Sequence, residues 1–251
     1  MKFFLLILCI SFNLHTLQAQ DVTALLKEAH RLEALPDEKA AFEKYKQALV
    51  QDPNSITILS QCSELCSRIG NREMKITTRG AYYNAAIAYA KKALTISASS
   101  DEANVAMAIA QGRIVMVKSG KEKIIAVKEI KRYADKALAT NPSNFKAWHI
   151  IGKWNYEVSQ LNMMERAATR FLYGGLPDAS LERAIKAYEK ARKLHPSFML
   201  NYLELAKAYD KNDEQNKAIP LLKYLTTLPL RTEDDSRIKK EAYQLLKTWK
   251  A

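Results

Sequence analysis

The feature that most constrains the fold of this chain is a recurring phrase that pairs small residues with a helix-stopping position. In each copy an alanine stands five residues before the stop: Ala48 before Pro53, Ala93 before Ala98, Ala137 before Pro142 and Ala191 before Pro196. A second small or aromatic residue stands three positions before each of these alanines. Such spacings put small residues on one helix face, where a neighbouring helix can approach closely, and proline then ends the helix. The phrase therefore predicts a series of closely packed helices.

Composition supports a fold built of helices alone. The chain has only 7 glycines and 7 prolines in 251 residues, whereas strand-rich folds use these residues in their many tight turns. Hydrophobic residues make up 48% of the sequence, which is enough to form a core. We therefore expect an all-α protein.

The segments between these phrases match the other half of a known helical hairpin. Trp148, Ile151 and Gly152, and likewise Tyr202, Leu205 and Ala206, have the spacing of the first helix of a tetratricopeptide unit. The expected fold is a right-handed superhelix of stacked tetratricopeptide-like hairpins with a C-terminal capping helix, in one domain over 20–251. The predicted hairpins lie near 22–53, 55–98, 102–142, 144–196 (with an inserted helix near 162–173) and 198–229, with the cap at 233–249. Within them, helices are predicted near 22–34, 38–51, 55–69, 80–97, 102–118, 121–140, 144–160, 178–194, 198–211 and 214–227.

The N-terminus has the pattern of an export signal over 1–19. Lys2 precedes an apolar run from Phe3 to Phe12, and Ala19 ends a small-residue cleavage site. Ten apolar residues form a helix of about 15 Å, which is short of the ~30 Å of a bilayer core. We predict cleavage after Ala19 and a soluble periplasmic or secreted protein; a leader that is not cut would leave the protein anchored to a membrane.

Two cysteines, Cys62 and Cys66, stand four residues apart on a predicted helix, so they share one face. Packing in the core is the favoured interpretation, and a strained disulfide is the alternative. The four histidines do not add ligands at zinc-site spacing. We predict no metal site and no cofactor.

Catalytic motifs are missing from the sequence. It contains no GxSxG, no glycine-rich phosphate loop and no HExxH motif. Carboxylates such as Glu122 and Glu182 stand three or four residues from lysines, as on a solvated helix face. The chain is therefore not expected to be an enzyme, and no catalytic residue is assigned.

Several longer runs resemble the regulator of microtubule dynamics family over about residues 35 to 248. The runs are Arg79-Gly80-Ala81-Tyr82-Tyr83-Asn84, Lys146-Ala147-Trp148-His149-Ile150-Ile151-Gly152-Lys153-Trp154, Gly174-Gly175-Leu176-Pro177 and Asn201-Tyr202-Leu203-Glu204. The resemblance implies a helical-repeat adaptor without catalysis, related to microtubule-associated or membrane-contact proteins, some of which bind lipid in the repeat domain. The leader departs from the family. Because an exported chain does not meet cytoplasmic tubulin, we do not expect the microtubule role here.

Two binding functions follow from these observations. In the first, the concave groove holds a protein or peptide, with His149, Lys153, Tyr156 and Lys207 on its wall and the lysines clamping a carboxylate. In the second, the superhelix encloses an apolar cavity with a basic rim and binds lipid. An open polar groove would favour the first, and a long apolar tunnel the second.

The segment from Arg113 to Lys136 concentrates positive charge, with eight cations against three carboxylates, in a chain of net charge +12. Four of its cations, Lys118, Lys121, Lys128 and Arg132, are predicted to share one side and to bind anionic lipid or an acidic polymer. The alternative is a solvated helix face. Nucleic acid is not expected as a partner, because no stacking aromatics are interleaved with the cations.

Overall fold

A computed structural model describes residues 21–249, and the regular structure within that range consists of twelve α-helices and no strand. The described part of α1 covers 21–34. The others are α2 (Glu38–Gln51), α3 (Ile56–Arg72), α4 (Ile76–Ile96), α5 (Asp101–Val115), α6 (Gly120–Thr140), α7 (Phe145–Ser159), α8 (Met163–Tyr173), α9 (Leu181–Leu194), α10 (Met199–Lys211), α11 (Gln215–Thr227) and α12 (Asp235–Trp249). The predicted export signal lies outside the described residues.

The helices pack as a stack of hairpins, which confirms the predicted all-α repeat fold. Neighbours in sequence pair as α3 with α4, α5 with α6 and α10 with α11, while α7 pairs with α9 and leaves α8 as an insertion. The first helices of successive hairpins also contact each other, in the order α3, α5, α7, α10 and finally α12. We call the side on which these first helices meet the inner face.

The alanines of the recurring phrase lie where the helices cross. Ala48, Ala93, Ala137 and Ala191 are completely buried. The helices that carry them end two residues before each stop position, at Gln51, Ile96, Thr140 and Leu194. Small size at the crossing and a stop shortly afterwards are therefore the local causes of the hairpin.

The start of the next helix has an equally regular cause. Two residues after each of the first three stops, a polar side chain accepts a hydrogen bond from the backbone N–H three positions later: Ser55 from Ile58, Ser100 from Ala103 and Asn144 from Ala147. These N-caps satisfy donors that have no partner within the helix. Each turn thus stops one helix and begins the next within a few residues.

Helix α3 is longer than predicted, because a glycine near its end has a packing role. The predicted helix ended at 69, whereas α3 continues to Arg72. A Cβ atom at Gly70 would lie 2.8 Å from the Cβ of Tyr82 on α4, so glycine permits close approach here. Helix α4 also begins earlier than the predicted residue 80, at Ile76.

The two ends of the stack contact each other. Arg72 at the end of α3 pairs with Glu38 on α2 at 2.7 Å and with Asp234 just before α12 at 3.2 Å. Glu233 accepts a 2.8 Å hydrogen bond from the backbone N–H of Glu38. Contacts along the inner face therefore run from α3 through to α12, and the segment just before α12 contacts α2 and α3 in turn.

Candidate binding surfaces of the inner face and the α6 to α8 region

Two of the four predicted groove residues, Lys153 and Lys207, pair with one carboxylate, that of Glu204 on α10. Lys153 lies 2.8 Å and Lys207 3.6 Å from its oxygens. The Lys153 ammonium also stands 5.8 Å from the centre of the Tyr156 ring. The repeat register therefore brings Lys153, Tyr156 and Lys207 close together.

The protein's own acids already pair with these lysines. Burial of Glu204 favours its neutral form, but Lys153 and Lys207 outweigh this and lower its pKa. Burial likewise opposes the charged form of Lys153, yet Glu204 and Glu157 raise its pKa. Lys207 makes a further 2.6 Å ion pair with Glu241. A carboxylate from a partner would have to displace these acids, so the predicted lysine clamp is occupied in this structure.

His149 is buried, with 8% of its surface exposed, and so does not line an open groove as predicted. Its Nδ1 lies 2.9 Å from Oδ1 of Asn201, and the Asn201 amide donates to the backbone carbonyl of Tyr188. The His149 ring also packs edge-on against Phe198 at 4.9 Å between centroids. These contacts tie α7 to α9 and α10, which makes His149 a packing residue and lowers its pKa through burial.

The ion pairs around Glu204 continue along the inner face to the N-terminal hairpin. Arg237 on α12 lies 3.6 Å from Asp234 and 3.8 Å from Glu241, linking the Lys207 pair to Arg72. On α3, Arg68 contacts Glu38 at 3.0 Å. This part of the inner face is polar, which favours the predicted polar groove over the predicted apolar tunnel.

A cleft of about 280 Å³ opens on the inner face at the beginnings of α3, α5 and α7. Three of its lining residues, Thr57, Glu102 and Lys146, each stand four positions after a stop of the recurring phrase. Glu102 accepts a 2.9 Å hydrogen bond from Thr57, and Lys146 pairs with Glu64 at 2.6 Å. The sequence predictions missed this cleft, although the shared position after each stop was a signal that could have found it.

The cleft has an excess of hydrogen-bond acceptors and of negative charge. It contains the carboxylates of Glu64, Asp101 and Glu102, against the single cation Lys146. Asp101 accepts from Asn141 and Asn144, which lowers its pKa against the opposing effect of burial. The buried hydroxyl of Ser60 has no hydrogen-bond partner. Such a lining suits a positively charged or hydrogen-bond-donating group.

The predicted basic patch is largely engaged in contacts within the chain. Lys118 pairs with Glu122 at 3.0 Å, Lys128 donates to the Tyr173 carbonyl at 2.7 Å, and Arg132 binds both oxygens of Glu129. Of the four predicted residues, Lys121 alone has no acceptor among the described residues. The structure therefore does not present Lys118, Lys121, Lys128 and Arg132 as one surface of free cations.

Cys62 and Cys66 are buried on α3 as free thiols, in agreement with the packing interpretation. Burial raises the pKa of both thiols to about 12, which keeps them protonated and unreactive at neutral pH. Within residues 21–249, no three His, Cys, Asp or Glu side chains are placed to hold a metal ion.

Comparison with known families agrees with this geometry. The model of the family described as regulator of microtubule dynamics protein 1-3 matches residues 25–250. The chain belongs to the regulator of microtubule dynamics family. Regulator of microtubule dynamics protein 1 of Bos taurus is 32% identical over 163 residues, which are 64% of this chain and 51% of that protein. Its counterpart in Caenorhabditis elegans is 27% identical over 186 residues, covering 74% and 80% of the two chains.

Mammalian members of the family are longer than the matched region. The chain spans about half the length of the Bos taurus and Homo sapiens proteins, with 51% and 52% of those proteins covered.

A solved structure of a thermophilic tetratricopeptide-repeat protein from Thermus thermophilus superposes with a TM-score of 0.66 at 13% identity, covering 89% of this chain and 99% of that one. This similarity shows that the family member described here has a tetratricopeptide-like fold. None of its helices within residues 21–249 combines the length and apolarity needed to cross a membrane.

Proposed function

We propose that the protein is a non-catalytic scaffold that binds a polypeptide partner in the cleft at the beginnings of α3, α5 and α7. The observation that carries this proposal is the continuity of the cleft across the first helices of three successive hairpins. A surface shared by several repeats suits an extended chain better than a small compact ligand. The bound segment would run along the inner face.

The charge of the cleft suggests which partner it would accept. Glu102 and Glu64 lie on neighbouring first helices, and Lys146 neutralises only Glu64. A lysine or arginine of the partner would therefore pair with Glu102. The proposed partner is a basic or donor-rich segment, not the carboxylate-bearing one that the lysines alone predicted.

Site-specific crosslinking in cells tests this function. A photoreactive amino acid at Thr57, which is exposed in the cleft, should capture a polypeptide, and the same probe at the exposed Lys91 on α4 should not. Glu102→Lys, added to the Thr57 probe, should abolish the adduct because it reverses the charge of the site. Equal capture at both positions, or capture that Glu102→Lys leaves unchanged, would contradict the proposal.

The cellular role proposed here is that of an exported adaptor. The leader supports export, and the family's repeat fold supports partner binding. We propose no microtubule role, since an exported protein would not meet tubulin in the cytoplasm.

A further inference from the structure

Helix α8 presents its apolar face to solvent. Met163, Met164 and Phe171 are 84%, 83% and 90% exposed, whereas Thr169 is buried and Tyr173 half-buried. Thr169 and Tyr173 stand four residues apart and so share one side of the helix, opposite the methionines and Phe171. In an ordinary surface helix the apolar side packs inward. Helix α8 has the reverse orientation.

Polar contacts fix α8 in this orientation. The guanidinium of Arg166 donates to the backbone carbonyls of Leu161, Val158 and Ser159, at 2.9, 3.2 and 2.9 Å respectively. At the other end, Lys128 of α6 donates to the Tyr173 carbonyl at 2.7 Å, and Gly174 ends the helix in a left-handed conformation. The helix is held at both ends, and its exposed apolar face is a fixed feature of the surface.

The same edge of the stack exposes other apolar residues. Helix α8 lies in the turn between the two helices of the fourth hairpin, and the corresponding turns of the earlier hairpins lie beside it. A pair between Lys39 and Glu73 links the first turn to the second. A hydrogen bond from Arg113 to Asn71 links the second turn to the third. The third turn meets α8 where Gly120 lies close to the Tyr173 hydroxyl. Along this edge the exposed apolar residues are Leu35, Met74, Ile76, Met116, Val117, Met163, Met164, Phe171 and Leu172.

The opposite edge is different. Its first three turns read Asp52-Pro53-Asn54-Ser55, Ser97-Ala98-Ser99-Ser100 and Asn141-Pro142-Ser143-Asn144, with no large apolar residue. Exposed large apolar residues at that edge are Val50, Ile96 and Leu230, three against the nine of the first edge, so they are not scattered evenly over the surface.

Free cations accompany the apolar residues. Lys75, Lys121, Lys123 and Arg170 are exposed on this edge and have no acceptor among the described residues. Among the carboxylates nearby, Glu73 pairs with Lys39 and Glu122 with Lys118, whereas Asp37 and Glu165 accept only from backbone N–H groups and the exposed Asp178 has no side-chain partner among the described residues. The edge therefore combines apolar side chains with an excess of unpaired cations over unpaired carboxylates.

We propose that this edge, with α8 at its centre, docks on the surface of an anionic lipid bilayer. An interfacial helix buries an apolar face among the acyl chains while cations beside it contact the headgroups. The apolar residues are spread along several turns and do not line a groove, so they fit a broad flat surface better than a single partner helix. The proposal is independent of the cleft on the inner face.

Vesicle sedimentation of the full chain tests the proposal, using phosphatidylcholine mixed with phosphatidylglycerol. Met164→Gln combined with Phe171→Gln should weaken binding at least tenfold. Val50→Gln is the matched control, because Val50 is 83% exposed near the opposite edge, and it should have no effect. Lys121→Gln combined with Lys123→Gln should weaken binding by roughly 25-fold at low salt, since each cation near an anionic surface contributes about fivefold.

The fluorescence of a tryptophan placed on α8 tests whether α8 itself contacts the lipid, independently of the leader. In a Phe171→Trp variant, brominated lipid should quench the added fluorescence, whereas the fluorescence added by Lys91→Trp should persist. Circular dichroism checks that each variant keeps its helices. Equal binding by the Met164/Phe171 and Val50 variants, or absence of quenching at position 171, would overturn the proposal. Self-association in sedimentation velocity that depends on Met164 and Phe171, without vesicle binding, would overturn it in favour of a contact between two copies.

Discussion

The guanidinium of Arg72 lies 3.2 Å from the carboxylate of Asp234, although 162 residues separate them in the sequence. The same guanidinium contacts Glu38, whose side chain is 1% exposed. One arginine thus joins the second helix of the chain to the segment just before the last. The contact is a tertiary restraint that a simple open stack of hairpins would lack.

Replacing Arg72 by Gln should lower the free energy of unfolding by about 3 kcal/mol, because a buried carboxylate loses one of its cationic partners. Backbone amides in 21–51 and 229–249 should also exchange faster with deuterium. Arg237→Gln is the control: Arg237 is 59% exposed and should change stability by less than about 1 kcal/mol. Equal effects of the two substitutions would contradict the structural role of Arg72.

Two glycine substitutions should change stability in opposite directions. A Cβ at Gly152 would lie 2.6 Å from the ring of Tyr188, which is fully buried, so Gly152→Ala should cost about 1–3 kcal/mol. At Gly112 no atom from outside the local helix backbone lies within 4 Å of the added Cβ, and Gly112→Ala should stabilise α5 by roughly 0.5–1 kcal/mol. Denaturant titration measures both, and a tolerated Gly152→Ala would show that α7 and α9 are farther apart than described.

The alanine at a helix crossing gives a second packing test. Ala191 on α9 is fully buried, so Ala191→Leu should overpack the crossing and cost about 1–3 kcal/mol. The exposed Lys190 beside it provides a control, because Lys190→Leu changes a neighbouring position outside the crossing. An unchanged melting temperature for Ala191→Leu would mean that the assigned repeat register is wrong.

Stability should fall as the pH drops below about 6.5, the ordinary pKa of an unfolded histidine. Burial lowers the pKa of His149 in the folded protein, so the unfolded chain binds a proton that the folded one does not. The free energy of unfolding is therefore greatest above the pKa that His149 has in the unfolded chain. It falls as the pH drops from there toward the lower pKa of His149 in the folded protein. His149→Gln should therefore weaken the dependence of the unfolding free energy on pH between about pH 7 and 5. The smaller contribution of His195, whose pKa is also lowered by burial, should remain. An unaltered slope would exclude His149 as its source.

The mature protein should begin at Gln20. Intact-mass measurement of the protein from its own cell envelope decides this, because cleavage after Ala19 removes a defined mass. Recovery of the uncut chain in a membrane fraction would replace the soluble protein with an anchored one.

Much of the fold could be predicted because its causes are local. Alanines at one spacing and a stop five residues later are visible in the sequence, and the observed helices follow them closely. The end of α3 was wrong by three residues because the role of Gly70 depends on Tyr82, which belongs to the next helix. A glycine that ends a helix and one that admits a neighbour look alike in sequence.

The candidate site was harder to predict because its residues depend on contacts between repeats. Lys153 and Lys207 both contact Glu204, which the sequence did not identify as their partner. His149 was predicted on the groove wall because it lies on the first helix of a hairpin, yet Asn201, 52 residues away, holds it in the interior. Charge counts in Arg113 to Lys136 could not reveal that Lys128 serves as an anchor for α8.

The contact between Arg72 and Asp234 also bears on how many hairpins this architecture can contain. An open solenoid gains or loses units freely, since each unit contacts only its neighbours. Here every added hairpin would turn and displace the segment that carries Glu233 and Asp234, moving both carboxylates away from Arg72 and Glu38. Insertion of a sixth hairpin would therefore remove two of the three carboxylates that pair with Arg72 and leave it only Glu38. An architecture held by this contact therefore gains or loses hairpins less freely than an open solenoid does.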